Sequence, residues 1–361
     1  MMAERYYSVI KGTGSYIPTK RVMNEDFLSH EFYDSSGEKL TKPNQEIIEK
    51  FEAITTIQER RYVNDDQTTS DIAFYAAEKA IVDAGIDKES LDYIIVGHNF
   101  AEVKNGNNRM EQLPALASRV KHKLGIKNPA TVAYDLPFGC PGWVQGMIQA
   151  DYYIRSGDAK RCLVIGADVL SRVCDPHDRD SMIYADGAGA TILEAYNGEK
   201  PKGILAHGTR SDTVEHAHML FMGPSYKKDT GKPDNIYLKM FGRKLYQYAL
   251  ENVPTAIKAC LEKSNTHLSE IKKILIHQAN GKMDEAILKR LYKLYDIPVV
   301  SEEIMPMTIE KFGNSSTATV PTLLDLILNG KVEGHAINTG DKIVLASVGA
   351  GMNINAIVYQ M

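Results

Sequence analysis

The hydrophobic pattern of the chain alternates between short apolar runs and longer segments in which apolar residues recur every three or four positions. Short runs bounded by turn residues predict buried strands, and the helical spacing predicts amphipathic helices. The predicted strands lie at 91–97, 131–136, 161–166, within 183–194 and at 343–348, and the predicted helices at 72–84, 113–124, 144–154 and 282–295. Strands that alternate with helices in this way indicate an α/β layered fold.

Two segments near the N-terminus interrupt this pattern. Residues 7–10 predict a strand, and the Gly12–Ser15 segment that follows predicts a tight turn. Neither a helix start nor a third glycine comes next, so the dinucleotide-binding motif is absent. The polar segment 31–44 contains Gly37 and Pro43, which predicts a surface loop.

The second half of the chain repeats the first. Residues 86–97 and 266–277 each follow a predicted helix and end in an apolar strand. Phe138-Gly139-Cys140 is likewise echoed by Phe312-Gly313-Asn314, and each is followed by a helical segment and then by an apolar strand. This long period indicates two copies of one βα-rich unit rather than a short-repeat solenoid.

Cys140 lies at a sharp turn between a predicted strand and a predicted helix. Pro141 suits the first turn of a helix, where its missing N–H costs little. Unpaired N–H groups make a helix start electropositive, so we expect the pKa of this thiol to be lowered and the thiol to act as a nucleophile. The alternative is a small buried cysteine without a chemical role.

The duplication also predicts which residues lie near Cys140. We place the boundary at the turn-rich segment 197–201, which gives an N-terminal half, 1–197, and a C-terminal half, 198–361. Cys140 and Asn314 then occupy equivalent turns, and His277 ends a strand equivalent to the one that ends at Gly97. A pseudo-twofold axis would bring all three to one central cleft.

A cysteine, a histidine and an asparagine together support two chemistries. In a thiol hydrolase, the histidine is the base and the asparagine orients it. In an acyl transferase that forms a carbon–carbon bond, both residues donate hydrogen bonds to a thioester oxygen where enolate charge develops. Taken singly, His277 could also be a structural histidine, and Asn314 could be a turn residue.

Composition excludes several other classes of function. The 361 residues are 43% hydrophobic and 24% charged, which is ordinary for a globular protein. The net charge of −4 provides no global basic field for nucleic acid. Four cysteines without a CxxC pair indicate a reduced, cytoplasmic protein, and the absence of any apolar run near 18 residues predicts no membrane partner. His216-x-His218 lacks an evident third ligand, so no metal site is expected.

Motifs spread over nearly the whole chain resemble the β-ketoacyl-acyl-carrier-protein synthase III family. They are Gly12–Pro18, Ile57–Arg61, Gly166–Arg172, Asp178-Arg179, Asp186–Ala190, His277–Asn280 and Gly313–Ser316. The resemblance implies a thiolase-like αβαβα fold and a homodimer. It implies that Cys140 is the acylated nucleophile, that His277 and Asn314 serve malonyl decarboxylation, and that the N–H groups of Cys140 and Ala350 form the oxyanion hole.

The resemblance also implies substrate contacts and a partner. Arg179 matches an arginine that stacks on the adenine of coenzyme A, opposite the position of Lys50, where the family commonly has a tryptophan. Asn280, in the histidine motif, is a further expected substrate-binding residue. The residues expected to dock an acidic acyl carrier protein are Lys239, Lys282, Lys289 and Arg290. The family usually has three glycines where Gly349-Ala350-Gly351 stands here, so a positive φ at Ala350 would be strained.

The predicted function is a decarboxylative Claisen condensation. An acyl group moves from a thioester donor to Cys140, and the enolate of a malonyl-acyl carrier protein then attacks it, without a metal or redox cofactor. The pathway is fatty-acid synthesis or a related polyketide or secondary metabolism. The alternatives are an ester-forming or non-malonyl condensing enzyme of the same fold, a thiol hydrolase, and a non-catalytic partner subunit.

Overall fold

The computed structural model describes residues 6–231 and 234–361, and all their side chains except that of Glu302. The strands are β1 (Tyr7–Tyr16), β2 (Lys20–Met23), β3 (Glu59–Tyr62), β4 (Tyr93–His98), β5 (Glu102–Val103), β6 (Met110–Glu111), β7 (Val132–Pro137), β8 (Arg161–Val169), β9 (Asp186–Tyr196), β10 (Gly203–Ser211), β11 (Leu220–Pro224), β12 (Ile236–Met240), β13 (Ile271–Ile276), β14 (Lys342–Gly349) and β15 (Asn353–Gln360). The α-helices are α1 (Asn44–Thr55), α2 (Thr69–Ala84), α3 (Leu116–Leu124), α4 (Gly142–Ser156), α5 (Thr213–His216), α6 (Gly242–Lys263), α7 (Gly281–Lys293), α8 (Ile309–Phe312) and α9 (Thr319–Leu328).

Two mixed sheets form the frame of the molecule. The five-stranded sheet has the order β1-β9-β8-β4-β7, with β4 parallel to both β7 and β8. The four-stranded sheet has the order β10-β15-β14-β13, with β13 parallel to β14. Because parallel strands end at the same edge, the residues that follow β7 and β13 lie at the carboxyl edges of their sheets.

Helices separate and cover the two sheets. Apolar residues of α4 and α9 share one buried cluster with residues of both sheets, so these two helices form the central layer. Helices α2 and α3 pack on the outer face of the five-stranded sheet, and α6 and α7 pack on the outer face of the four-stranded sheet. This order of layers is αβαβα, and it confirms the predicted fold class.

The strands divide between the sheets by position in the chain. The five-stranded sheet uses strands that end by Tyr196, and the four-stranded sheet uses strands that begin at Gly203 or later. The division into halves 1–197 and 198–361 stays a prediction, since the central layer joins the two sheets. Within the part of the chain that the structure describes, no helix combines the length and apolar character needed to cross a bilayer.

The predicted turn at Gly12–Ser15 is wrong. Strand β1 continues through it, with a bulge between Ile10 and Gly12, and pairs with β9 as far as Tyr16. The glycines are needed for packing instead. A methyl group on Gly12 would lie 2.4 Å from the backbone nitrogen of Ala84, and one on Gly14 would lie 2.4 Å from the carbonyl oxygen of Ala76. Both contacts are with α2, which therefore lies directly on the β1 backbone.

The start of α3 is set by a residue distant in sequence. The periodicity predicts a helix from residue 113, but α3 begins at Leu116. The Asp135 carboxylate accepts hydrogen bonds from the N–H groups of Leu116 and Ala117, at 2.7 and 2.8 Å. A carboxylate that accepts the first N–H groups stabilises a helix N-terminus. The helix therefore begins where β7 supplies this carboxylate, which the periodicity of the segment does not show.

Candidate active site

Cys140 lies in the turn between β7 and α4, as the sequence predicts. The turn depends on Gly139, whose φ of +71° favours glycine, and the N–H of Gly142 donates to the Gly139 carbonyl at 2.8 Å. The residue as a whole is half-buried, whereas its sulfur is enclosed by protein. Helix α4 starts two residues after Cys140, so the side chain is at the carboxyl edge of the five-stranded sheet.

The loop after β14 lies against this turn. A methyl group on Gly349 would come within 2.8 Å of the Cys140 nitrogen, and one on Gly139 would come within 3.1 Å of the Ala350 nitrogen. The two backbone segments thus bring the amides of Cys140 and Ala350 close together. The positive φ values of this loop fall on Gly351 (75°) and Met352 (50°), so the expected strain at Ala350 is not present.

His277 directly follows β13. Its N–H donates to the carbonyl of Ala346 at 2.9 Å, and its side chain is 3% exposed. Burial lowers the pKa of His277 to about 4, so the ring is neutral near pH 7. The next residue, Gln278, is fully buried and accepts hydrogen bonds from the N–H groups of Thr308 and Ile309. This contact ties the histidine segment to the segment that leads to Asn314.

Asn314 is fixed by hydrogen bonds on three sides. Its N–H donates to the Ile183 carbonyl at 2.9 Å, and its own carbonyl accepts from the N–H of Ala185 at 2.8 Å. The N–H of Ser316 donates to Asn314 Oδ1 at 2.8 Å. Because the side-chain oxygen is occupied in this way, the side-chain NH₂ group is the part that can donate to a ligand.

The Cys140 thiol is held in its protonated form by its surroundings. Burial raises the pKa of Cys140 to about 12, and the Asp168 carboxylate acts in the same direction. The Ser316 hydroxyl opposes this change, since it donates to Cys140 Sγ at 3.1 Å. The prediction of a lowered pKa is therefore wrong, because the helix start alone does not determine the environment of the sulfur.

One cavity of about 700 Å³ connects the predicted catalytic residues. Its wall includes Cys140, His277 and Asn314, which the structure brings together from three separate elements. A second cavity of about 140 Å³ lies on another side of Cys140 and is lined mainly by apolar side chains. These are Phe100, Leu170, Tyr184, Leu220, Phe221, Met222 and Leu238.

The predicted substrate-binding residues also line the large cavity. Arg179 is 55% exposed in its side chain, and Lys50 lines the same cavity. Asn280 caps α7, because its Oδ1 accepts a hydrogen bond from the N–H of Met283 at 3.1 Å. Arg243 at the start of α6 is a further cation of the lining that the sequence analysis missed, since nothing in its local sequence distinguishes it.

The predicted docking residues differ in exposure. Lys282, Lys289 and Arg290 lie exposed on α7, whose first turn adjoins the large cavity through Met283. Lys282 also approaches Glu285 at 3.4 Å. These three residues form a cationic face on α7.

Lys239 is not part of this face, and its assignment as a docking residue is wrong. The side chain is 2% exposed, and its Nζ lies 2.5 Å from Asp175 Oδ2 and 3.2 Å from Asp178 Oδ2. The Nζ also lies 3.4 Å from the centre of the Tyr226 ring. The charge is thus neutralised inside the protein and cannot reach a partner. Among the described residues, no group of three or more His, Cys, Asp or Glu side chains is arranged to hold a metal ion.

Comparison with known proteins gives the same class of enzyme. The family model described as 3-oxoacyl-[acyl-carrier-protein (ACP)] synthase III matches residues 134–213. The model described as the C-terminal part of the same synthase matches residues 261–361. The β-ketoacyl-[acyl-carrier-protein] synthase III 1 of Vibrio parahaemolyticus is 36% identical over 346 residues, which cover 96% of each chain. The corresponding synthase III of Staphylococcus aureus is 34% identical over 354 residues, covering 97% of this chain and 98% of the relative.

A solved structure agrees with these relatives. The crystal structure of 3-oxoacyl-[acyl-carrier-protein] synthase III from Aquifex aeolicus VF5 has a TM-score of 0.77 at 28% identity, and the match covers 98% of this chain and 100% of that chain. The layered fold and the cysteine, histidine and asparagine of one cavity define a thiolase-like acyl-transferring enzyme. The chain belongs to the β-ketoacyl-acyl-carrier-protein synthase III family. It is a transferase, a ketoacyl synthase of the Claisen-condensing class, and the predicted family is confirmed.

Proposed function

We propose that the protein condenses an acyl thioester with a malonyl-acyl carrier protein through an acyl group on Cys140. The observation that carries the proposal is the single large cavity that holds Cys140, His277 and Asn314. A nucleophile and two neutral hydrogen-bond donors at one cavity suit thioester chemistry. We infer the acyl carrier protein as a substrate from the names of the relatives, which are β-ketoacyl-[acyl-carrier-protein] synthases.

In the first half-reaction, the sulfur of Cys140 attacks the carbonyl carbon of the donor thioester. The adjacent N–H groups of Cys140 and Ala350 are the proposed oxyanion hole. The acyl chain enters the small apolar cavity beside Cys140. At about 140 Å³, this cavity is close in size to one that holds benzene, so it accommodates a chain of about six carbon atoms.

In the second half-reaction, the malonyl thioester enters through the large cavity. His277 and the NH₂ group of Asn314 donate hydrogen bonds to its thioester oxygen. Because burial keeps His277 neutral, the ring acts as a hydrogen-bond donor rather than as an acid. As carbon dioxide leaves, these donors stabilise the enolate, which attacks the acyl-Cys140 carbonyl and releases a β-ketoacyl thioester.

The carrier is proposed to approach along the cationic face of α7. Lys282, Lys289 and Arg290 are exposed there, next to the residues that line the cavity. Local charge of this kind attracts an acidic partner even though the net charge of the chain is −4. Arg179 and Asn280 contact the phosphopantetheine arm or coenzyme A, since both line the cavity.

The same proposal includes a homodimer in the cytoplasm. Strand β7 is at the edge of the five-stranded sheet, so its outer side is available for pairing. Val132 at its start is 47% exposed, and Leu113, three residues before the α3 start that Asp135 of β7 binds, is 88% exposed. A second copy that packs here would cover both apolar side chains. The reaction itself needs no metal or redox cofactor.

The test combines two measurements on the purified protein. Intact mass after incubation with thioesters of increasing chain length reports which acyl groups attach to the protein. Release of carbon dioxide from malonyl-acyl carrier protein then reports the condensing reaction. We expect acylation by chains of up to about six carbons, followed by carbon dioxide and a β-ketoacyl product. Ester product without carbon dioxide, or free acid without malonyl thioester, would replace the proposal by one of the alternative reactions.

A further inference from the structure

We propose that Ser316 is a further catalytic residue, whose hydroxyl donates a hydrogen bond to the Cys140 sulfur and stabilises the thiolate that attacks the acyl donor. Asn99 and Asp168 are proposed as positioning residues that fix the direction of this hydroxyl. The inference rests on the proposed function for its reaction step. The hydrogen-bond chain that supports it is built from three separate parts of the fold.

The chain begins at Asp168, which is fully buried near the end of β8. Its carboxylate accepts hydrogen bonds from the N–H of Asn99 at 2.8 Å, from Asn99 Nδ2 at 2.8 Å and from Thr317 Oγ1 at 2.5 Å. An ionised carboxylate only accepts hydrogen bonds. The side-chain nitrogen of Asn99 must therefore face Asp168, and this sets the orientation of its amide group.

Asn99 transmits this direction to Ser316. The same Nδ2 lies 2.5 Å from Ser316 Oγ. Its two hydrogens are then directed to Asp168 and Ser316, so the serine oxygen is an acceptor in this contact. The single proton of the serine hydroxyl is left to point at Cys140 Sγ, which lies 3.1 Å away. The network therefore determines that Ser316 donates to the sulfur.

The backbone of Ser316 supports a functional role for this geometry. Its φ is +54°, in the left-handed region that non-glycine residues rarely adopt, and strain of this kind concentrates at functional sites. From this conformation, the N–H of Ser316 binds Asn314 Oδ1 while the hydroxyl binds Cys140. One residue thus contacts both the nucleophile and an enolate-stabilising donor.

The hydrogen bond has a defined part in the acylation step. The bond between Cys140 Sγ and the acyl carbon forms, the bond between that carbon and the donor sulfur breaks, and the proton of Cys140 ends on the departing thiol. Ser316 keeps its own proton throughout. The other titratable groups around the sulfur are Asp168, Tyr184 and His277. Asp168 opposes ionisation of Cys140, so a donor to the sulfur is needed to reduce that opposition.

The experiment compares Ser316→Ala with Ser315→Ala in the full chain. Ser315 is adjacent, but its hydroxyl contacts Thr319 rather than the sulfur, so it is the matched control. The first readout is the rate of Cys140 alkylation by iodoacetamide across pH, which requires no acyl substrate. We expect Ser316→Ala to lower the alkylation rate about tenfold at a given pH. The pH–rate profile should therefore shift to higher pH by about one pH unit. Asn99→Asp, which lacks the donating NH₂ group, should act in the same direction.

The second readout separates catalysis from a loss of structure. The ratio of acylation rate to malonyl decarboxylation rate should fall about tenfold in Ser316→Ala, because the backbone N–H that holds Asn314 is retained. An unchanged alkylation profile, or an equal loss in both half-reactions, would overturn the inference. If the alkylation profile shifts but no condensation occurs with any thioester, the proposed function fails while the role of Ser316 at the sulfur stands.

Discussion

Cys140 and Asn314 lie at the same cavity, but the structure holds them in different ways. Asn314 follows α8 and is bound through its N–H, its carbonyl and its side-chain oxygen. The sulfur of Cys140 instead accepts hydrogen bonds from the Ser316 hydroxyl, at 3.1 Å, and from the backbone of its own residue. The difference follows the proposed chemistry. A donor that stabilises developing charge works best when it is already in place, whereas a nucleophile must change its bonding during the cycle.

Burial has opposite value for the two half-reactions. It lowers the pKa of His277 to about 4 and raises that of Cys140 to about 12, so both groups are neutral at rest. Neutral His277 is the form that the proposed decarboxylation step uses. Neutral Cys140 is a weak nucleophile, since the thiolate is the reactive form. The donors proposed to stabilise the enolate, His277 and Asn314, are therefore already in their active form. Cys140 depends instead on hydrogen-bond donors that lower the free-energy cost of forming its thiolate.

The largest effect should come from removal of the nucleophile. Cys140→Ser is expected to fold normally and to lose condensation by at least about 10³-fold, because the other half of the site cannot form the acyl intermediate. Intact mass after incubation with an acyl thioester should show no adduct. Cys174→Ser, which changes a cysteine outside the catalytic set, is the control and should acquire the acyl mass. An adduct on Cys162, Cys174 or Cys260 in the Cys140→Ser protein would contradict the assignment.

Changes on the enolate side should separate the two half-reactions. His277→Ala and Asn314→Ala each remove one donor to the enolate, which typically costs about 10²–10³ in rate. Both variants should still acquire acyl mass on Cys140, while carbon dioxide release from malonyl thioester falls by that factor. Near-normal decarboxylation in either variant would show that the residue does not act on the enolate. If acylation of Cys140 fell by the same factor as decarboxylation, these residues would not act in one half-reaction alone.

The meeting of Cys140, His277 and Asn314 at one cavity could be predicted because the chain repeats itself. Cys140 and Asn314 end similar tripeptides, and His277 ends an apolar strand, so their order along the chain was enough to group them. Ser316 ends the Gly313–Ser316 motif, but its proposed role depends on Asn99, which is 217 residues away in sequence. A contact of that kind has no local signal.

Lys239 shows the opposite error. The family resemblance assigns Lys239 to carrier docking, yet Lys239 is buried between Asp175 and Asp178, 64 and 61 residues away. A buried lysine is stable only when it is paired, and the pairing is visible only after the chain has folded. The expectation of a lowered pKa for Cys140 is wrong for a related reason. The helix start was visible in the sequence, but the surrounding protein that buries the sulfur was not.

Charge reversal on the cationic face of α7 should have a smaller effect. It should affect only the half-reaction that uses malonyl-acyl carrier protein. Reversing the charge of Lys282, Lys289 and Arg290 together should raise KM for malonyl-acyl carrier protein about tenfold, since each exposed ion pair contributes up to about 1 kcal/mol. The effect should weaken in high salt, and acylation from a carrier-free thioester should be unaffected. Reversal of the exposed Lys160, Lys200 and Lys331 provides a control of equal charge. If both triple variants change KM equally, the carrier does not use this face.

The smallest expected effect is on the pH dependence of decarboxylation. Because His277 is buried, its titration should not affect the decarboxylation rate near neutral pH. An ordinary histidine titrates near pH 6.5, but the pKa of His277 is lowered to about 4. In Cys140→Ala, which isolates decarboxylation, the rate of carbon dioxide release should therefore change less than about twofold between about pH 8 and pH 5.5. An inflection near pH 6.5 that disappears in the double variant Cys140→Ala/His277→Gln would show that His277 titrates normally.

The stability of the protein provides an independent check of the lowered pKa of His277. Because the unfolded chain binds the histidine proton first, this contribution to stability is present above about pH 6.5 and is lost as the pH falls toward 4. The melting temperature of the wild type should consequently fall more steeply across that interval than that of His277→Gln. Parallel curves would mean that burial does not hold His277 neutral, and the contrast with Cys140 would no longer apply.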